Sequence, residues 1–177
     1  MRFSVRLNND MPVSRTVALA LAAERAGFDQ FWLSDDLFLR SASVMLAAIA
    51  RETRRMQIGS GVFNPYTQNP AQIAMTAATL DELSGGRFCL GLAAGAGEFL
   101  QWVGIAQERP LGAVVETIHV LRQLFAGRRA ALDGDFLRWT DSAWLRFTPP
   151  RREIPIYLGA MSPVSYTHLT LPTKRIV

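Results

Sequence analysis

The chain is short of the side chains that most often carry out chemistry unaided. It has one cysteine, Cys89, so no internal disulfide can form, and a reducing compartment fits. Of its two histidines only His119 precedes residue 164, and it falls among Ile118, Leu121 and Leu124 at helical spacing, where a structural role is the ordinary reading. One histidine and one cysteine cannot assemble a zinc site or a Cys/His dyad. There is no nucleophile elbow for a Ser-His-Asp triad, and no Gly-Lys-Ser/Thr loop for a nucleoside triphosphate. Long hydrophobic runs are missing too: the apolar stretches are far too short to span a bilayer. The N-terminus enters an alternating strand directly, without a leader, so the expectation is a soluble, cytoplasmic protein with no membrane partner.

Lysine is nearly absent. Every basic residue from Arg2 to Arg152 is arginine, and the single lysine is Lys174. That habit suits a GC-rich gene, and the last fourteen residues, VSYTHLTLPTKRIV, break it. The string VSYTHLTLPT is identified as one reading frame of a transposase sequencing adaptor. Residues 164–177 are therefore expected to be foreign to the protein, leaving residues 1–163 as one incomplete domain. Lys174 and Arg175 supply two of the net charge of +4, so +2 remains over residues 1–163. So small and scattered a charge is no nucleic-acid signature. The pairs Arg54-Arg55, Arg128-Arg129 and Arg151-Arg152 read as solvated groups or partners of helix ends.

What is present is a repeated strand–helix unit. Residues 2–8 alternate as a strand, and 12–26 carry helical spacing that stops at Gly27. Residues 28–34 form a second strand and 41–55 a second helix, with Ser41 as candidate N-cap. Residues 56–63 form a third strand, after which Asn69-Pro70 opens a third helix that ends at Ser84-Gly85-Gly86. Residues 87–93 are a fourth strand, 110–125 a long helix closed by Gly127, 128–150 a short hairpin or bulging loop, and 154–158 a fifth strand. This rhythm is that of a parallel α/β sheet with right-handed crossovers. Periodicity fits both an open doubly wound sheet and part of a (β/α)8 barrel. A complete barrel needs about 250 residues, so this chain would hold about five of its strands.

In either architecture ligands bind at the C-terminal ends of the strands. The second strand ends in Asp35-Asp36, either a carboxylate that hydrogen-bonds a ligand or a helix-entry cap. The third ends Gly59-Ser60-Gly61-Val62-Phe63-Asn64, and strand glycines mark a bulge or the close approach of a ligand. The fourth ends Gly91-Leu92-Ala93-Ala94-Gly95-Ala96-Gly97-Glu98, small and flexible, and with the wrong glycine spacing for a dinucleotide fingerprint. Small residues at two neighbouring strand ends would leave room for a flat ring. With no metal site and no nucleophile in prospect, chemistry has to come from a bound cofactor.

The runs FWLSDDLFLR, GSGVFNPYTQNPAQIA, TLDELSGGRFCLGLAAGAG, WVGI and IPIYLGA resemble the bacterial-luciferase-like oxidoreductases over about residues 3–162. Within that family they look most like the branch of the coenzyme F420-dependent methylenetetrahydromethanopterin reductases. The resemblance implies a (β/α)8 barrel with a flavin-type ring at the strand ends, supported by a non-proline cis peptide whose matching bond is Gly61–Val62. It implies cofactor contacts from Asp35, Gly61, Val62, Asn64, Gly95, Gly159 and Ala160, with Asp35, Asp36 and Glu98 as candidate catalytic groups. Three departures bear on the substrate. Asp36 replaces a histidine of the sugar-phosphate dehydrogenase branch, Arg6 stands where the reductases carry a glutamate, and Ala96 stands where they carry an acid.

The resulting expectation is hydride transfer between F420 and a small organic substrate by a full-length protein that is a homodimer. The alternatives are an FMN-dependent monooxygenase served by a separate flavin reductase, and a non-catalytic flavin-binding relative or inactive fragment.

Overall fold

The structure, a computed structural model, describes residues 1–159. Its first four strands are β1 (Ser4–Leu7), β2 (Gln30–Leu33), β3 (Gln57–Ser60) and β4 (Phe88–Leu92). Between and after them lie helices α1 (Val13–Arg25), α2 (Ala42–Glu52), α3 (Pro70–Ser84), α4 (Gly97–Trp102) and α5 (Pro110–Phe125). A hairpin of β5 (Leu132–Asp133) and β6 (Arg138–Trp139) precedes β7 (Ile156–Leu158). The sheet order is β1-β2-β3-β4-β7, parallel throughout. Sequential order without reversal is the barrel arrangement; a doubly wound sheet turns back at a switch point, and none occurs among these strands.

Local chemistry explains the boundaries. Asn69 caps α3 by accepting from the Ala71 N–H at 2.9 Å, Pro70 fills the first position, and Gly85 ends the helix at φ +67°. Ser41 stands at the N-terminus of α2, but its side chain makes no capping bond. The strands are shorter than their alternating patterns predict, because the pattern records which residues face the core while the ladder records pairing. The third departs most: β3 stops at Ser60, the Gly61–Val62 peptide is cis, and Phe63 rejoins the ladder only as a bridge to Leu92.

Alternation then splits the sheet into two faces. Phe31, Leu33, Ile58, Phe88, Leu90 and Leu92 point outward, fully buried beneath α2, α3 and α5. Burial of one such side chain contributes about 1.5–3 kcal/mol, and this layer forms most of the core. The opposite, inner face carries Arg6, Trp32 and Gly59 in one register row, and the paired Gly91 and Tyr157 two residues further along the strands. The Trp32 ring lies flat across it: a Cβ on Gly59 would come within 2.4 Å of that ring, and Tyr157 meets it edge-on at 5.0 Å.

The bottom of the sheet is tied by charge. Arg87 donates to the carbonyls of Ala50, Thr53, Met56 and Ser84, gathering the chain ends of α2 and α3. Arg151, read from sequence as a solvated group, instead grips the fully buried Asp81 (Nε to Oδ2 2.9 Å) and donates to the Phe88 carbonyl at 2.8 Å. The carboxylate arrives from the last turns of α3, seventy residues away in sequence, so no local pattern announces the pair.

Candidate functional site

The site is built where β2, β3, β4 and β7 end side by side. Gly61 donates its N–H to Leu33 O at 2.7 Å, while Phe63 donates to Gly91 O at 2.8 Å. The chain therefore crosses from the β2 side to the β4 side over the cis Gly61–Val62 bond. Val62 projects toward β7: a Cβ on Gly159 would lie 3.3 Å from Val62 Cγ1 and 3.1 Å from Ala93 Cβ. Gly159 is held there by its N–H to Leu92 O at 3.0 Å. Val62, Ala93 and Gly159 thus form an apolar floor of small residues, with little room for a side chain at 159.

Next to this floor stand Asn64 and Gly95. The Asn64 Oδ1 accepts from Tyr66 N–H at 2.9 Å, and its amide nitrogen would sit 2.2 Å from a Cβ at position 95. Gly95 also has φ +74°, so that position calls for glycine on two counts. Gln107 holds the same loop from the other side, donating to Ala94 O at 2.8 Å and Gly95 O at 3.1 Å.

The acids divide. Asp35 is engaged: its Oδ1 accepts from Ala42 N–H at 3.3 Å and its Oδ2 from Gln68 Nε2 at 2.5 Å. It thereby does the capping that Ser41 does not, and fixes the β3–α3 loop to the end of β2. Burial pushes its carboxyl above the ordinary range; the Ala42 and Gln68 bonds pull it back only in part, and the charge of Asp36 adds to the rise. Asp36 is half-buried, and its backbone is clamped by Asn9 through both N–H and C=O. Glu98 is exposed in the first turn of α4, a helix not foreseen from the glycine-rich string before it. Ala160 lies outside the described residues.

Arg6 is the residue whose placement the sequence left open. Its Nη2 donates to Ser34 Oγ at 2.8 Å and its Nε to Gly61 O at 3.4 Å, so a cation stands on the inner face directly under the β3 crossing. A charged residue in an alternating strand was the available signal, but its neighbours come from strands 28 and 55 residues onward. Among the described residues no group of three or more His, Cys, Asp or Glu could hold a metal ion.

Residues 1–168 match the description "luciferase-like monooxygenase". The chain is 36% identical over 163 residues to a 5,10-methylenetetrahydromethanopterin reductase of Archaeoglobus fulgidus, covering 92% of this chain and 48% of that protein. It is 31% identical to an F420-dependent glucose-6-phosphate dehydrogenase of Amycolatopsis mediterranei, over 84% of this chain and 48% of the relative. The structure superposes on the coenzyme F420-dependent tetrahydromethanopterin reductase from Methanopyrus kandleri with TM-score 0.86 at 26% identity, covering 93% of this chain and 51% of that one. The chain spans about half the length of the curated relatives it matches.

Proposed function

Because the chain belongs to the luciferase-like monooxygenase family, we propose that its full-length protein is an oxidoreductase using coenzyme F420 to pass a hydride to or from a small organic substrate. The carrying observation is the meeting of the small residues Val62, Ala93 and Gly159 at the strand ends, beside the Asn64–Gly95 contact. A planar tricyclic ring fits such a floor, and the F420-dependent relatives give the ring its identity. When bound, the deazaflavin supplies the carbon that gives or takes the hydride.

This chain's residues do the rest. Val62 and Gly159 would seat the ring, and Asn64 packed against Gly95 fixes the neighbouring loop. Arg6 lies beneath the crossing as a fixed positive charge, favouring electron density that develops above it. Asp35, raised toward its neutral form, holds Gln68 and α2 in place, leaving Asp36 and Glu98 as polar handles for the substrate. Positioning two reactants at near-contact distance is where most of the rate enhancement arises. We further propose that the working protein is a cytoplasmic homodimer, and that residues 164–177 are translated adaptor, the first five of them falling within the span that matches the family.

The test is anaerobic turnover of the full-length protein with reduced F420, followed by loss or gain of the oxidised cofactor's absorbance, beside oxygen uptake with reduced FMN. F420-linked turnover without oxygen uptake supports the reading. Oxygen consumption with FMN, and none with F420, replaces it with a monooxygenase fed by a separate reductase.

A further inference from the structure

Residues 107–109, between α4 and α5, are fastened one after another to separate parts of the chain. Gln107, half-buried, donates through Nε2 to Ala94 O at 2.8 Å and Gly95 O at 3.1 Å, and its Oε1 would lie 3.2 Å from a Cβ on Gly97. The Glu108 carbonyl accepts from the Tyr66 hydroxyl, and the Tyr66 ring meets Phe136 edge-on at 5.1 Å. Arg109 pairs with Asp135 in the turn between β5 and β6. That turn is itself fixed to α5, where Glu116 accepts from the Asp135, Phe136 and Leu137 N–H groups at 3.1, 3.0 and 2.8 Å. Arg109 shows the effect of being held on both sides: it sits at φ +50°, a left-handed conformation that persists where surrounding contacts over-determine it.

These fastenings converge on the site. Tyr66 donates its N–H to Asn64 Oδ1, so the residue that holds Glu108 also orients the Asn64 amide against Gly95. Gln107 holds the other member of that contact through the Gly95 carbonyl. Among the described residues, ladder bonding along this strand reaches Ala93, whose N–H donates to Phe63 O at 3.1 Å. The next carbonyls, of Ala94 and Gly95, are held by the Gln107 side chain instead. One short segment therefore grips both loops, 64–68 and 93–97, whose meeting borders the floor.

We infer that Gln107 and Tyr66 are positioning residues for the cofactor, acting through Gly95 and Asn64 to keep the border of the floor set before the ring arrives. A border already in place has no ordering cost left to meet on binding. The inference rests on reading the floor as the seat of the ring, and adds to it the side chains that hold that seat in shape.

The test is equilibrium titration of F420 by fluorescence, and of FMN by absorbance, against full-length wild type, Gln107→Met, Tyr66→Phe and the double variant. Methionine keeps the length of the side chain and loses both donated bonds. Phenylalanine keeps the ring against Phe136 and loses only the hydroxyl. Gln107→Met should raise the F420 Kd about tenfold and Tyr66→Phe about threefold. Because both act through one segment, the double variant should stay near the loss of Gln107→Met alone, well below the roughly thirtyfold expected of independent sites. Glu24→Gln, which loses its bonds to the 54–56 backbone at the other end of the sheet, should bind as wild type does, separating position from general loosening. An unchanged Kd in Gln107→Met, multiplicative losses in the double variant, or an equal loss in Glu24→Gln would each overturn the positioning role. The cofactor reading is judged on wild type: binding of FMN with none of F420 overturns it, and the same variant pattern, read on FMN, still decides the positioning role. A wild type that binds neither removes the seat and the positioning role together.

Discussion

Two carboxylates at opposite ends of the sheet titrate in opposite senses, and each has a visible cause. At the bottom, burial would raise Glu24, but hydrogen bonds from the Met56, Arg55 and Arg54 N–H groups outweigh it and hold the carboxyl below its ordinary 4.5. Its contribution is therefore present above pH 4.5 and is lost as pH falls through the lowered value. Glu24→Gln should cost about 1–2 kcal/mol at pH 7, and urea unfolding should show the gap to wild type closing in acid. At the top, Asp35 is raised by burial above 3.8, so the native state holds its proton longer than the unfolded chain does. Its contribution is complete below pH 3.8 and declines as pH rises through the raised value. The stability difference between wild type and Asp35→Asn should accordingly move against wild type with rising pH, opposite to the trend at Glu24. A difference that is flat with pH, or that runs the other way, would contradict the cause assigned to Asp35.

At the scale of elements, the alternation of strands and helices was written in hydrophobic periodicity, and the ends of α3 in Asn69-Pro70 and Gly85-Gly86, because those signals act within one turn of chain. The glycines of β3 and β4 were legible for the same reason: Gly91 leaves only 2.0 Å between an added Cβ and Ser60 O, a demand no other residue meets. What stayed hidden depends on partners far along the chain. The capping of α2 by Asp35, the grip of Arg151 on Asp81, the clamp of Asn9 on the 36–40 loop and the place of Arg6 each join separate strands or helices. The short helix α4 was masked by the glycines preceding it, which read as a turn. Asp81 is fully buried while Arg151 keeps part of its surface in water. Arg151→Gln should therefore destabilise by about 3 kcal/mol, chiefly by leaving the Asp81 charge uncompensated. Thermal or urea unfolding measures this directly, and a loss under about 0.5 kcal/mol would reduce the pair to a surface contact.

At the scale of the whole molecule, five sequential parallel strands and their outer helices superpose on half of a reductase chain. No helix among the described residues is long and apolar enough to cross a membrane. A long read through the native locus should show the frame continuing past the codon for Ser162 with further βα units in place of VSYTHLTLPTKRIV. A stop directly after that string would contradict the adaptor reading. The proposed cofactor floor at the ends of β3, β4 and β7 predicts the outcome of an equilibrium titration of F420 against full-length wild type and Gly159→Val, followed by quenching of the cofactor's fluorescence. The added side chain would enter the space between Val62 and Ala93, so affinity should fall at least about tenfold while Tm stays near that of wild type. Undiminished F420 affinity in a folded Gly159→Val protein would place the cofactor elsewhere.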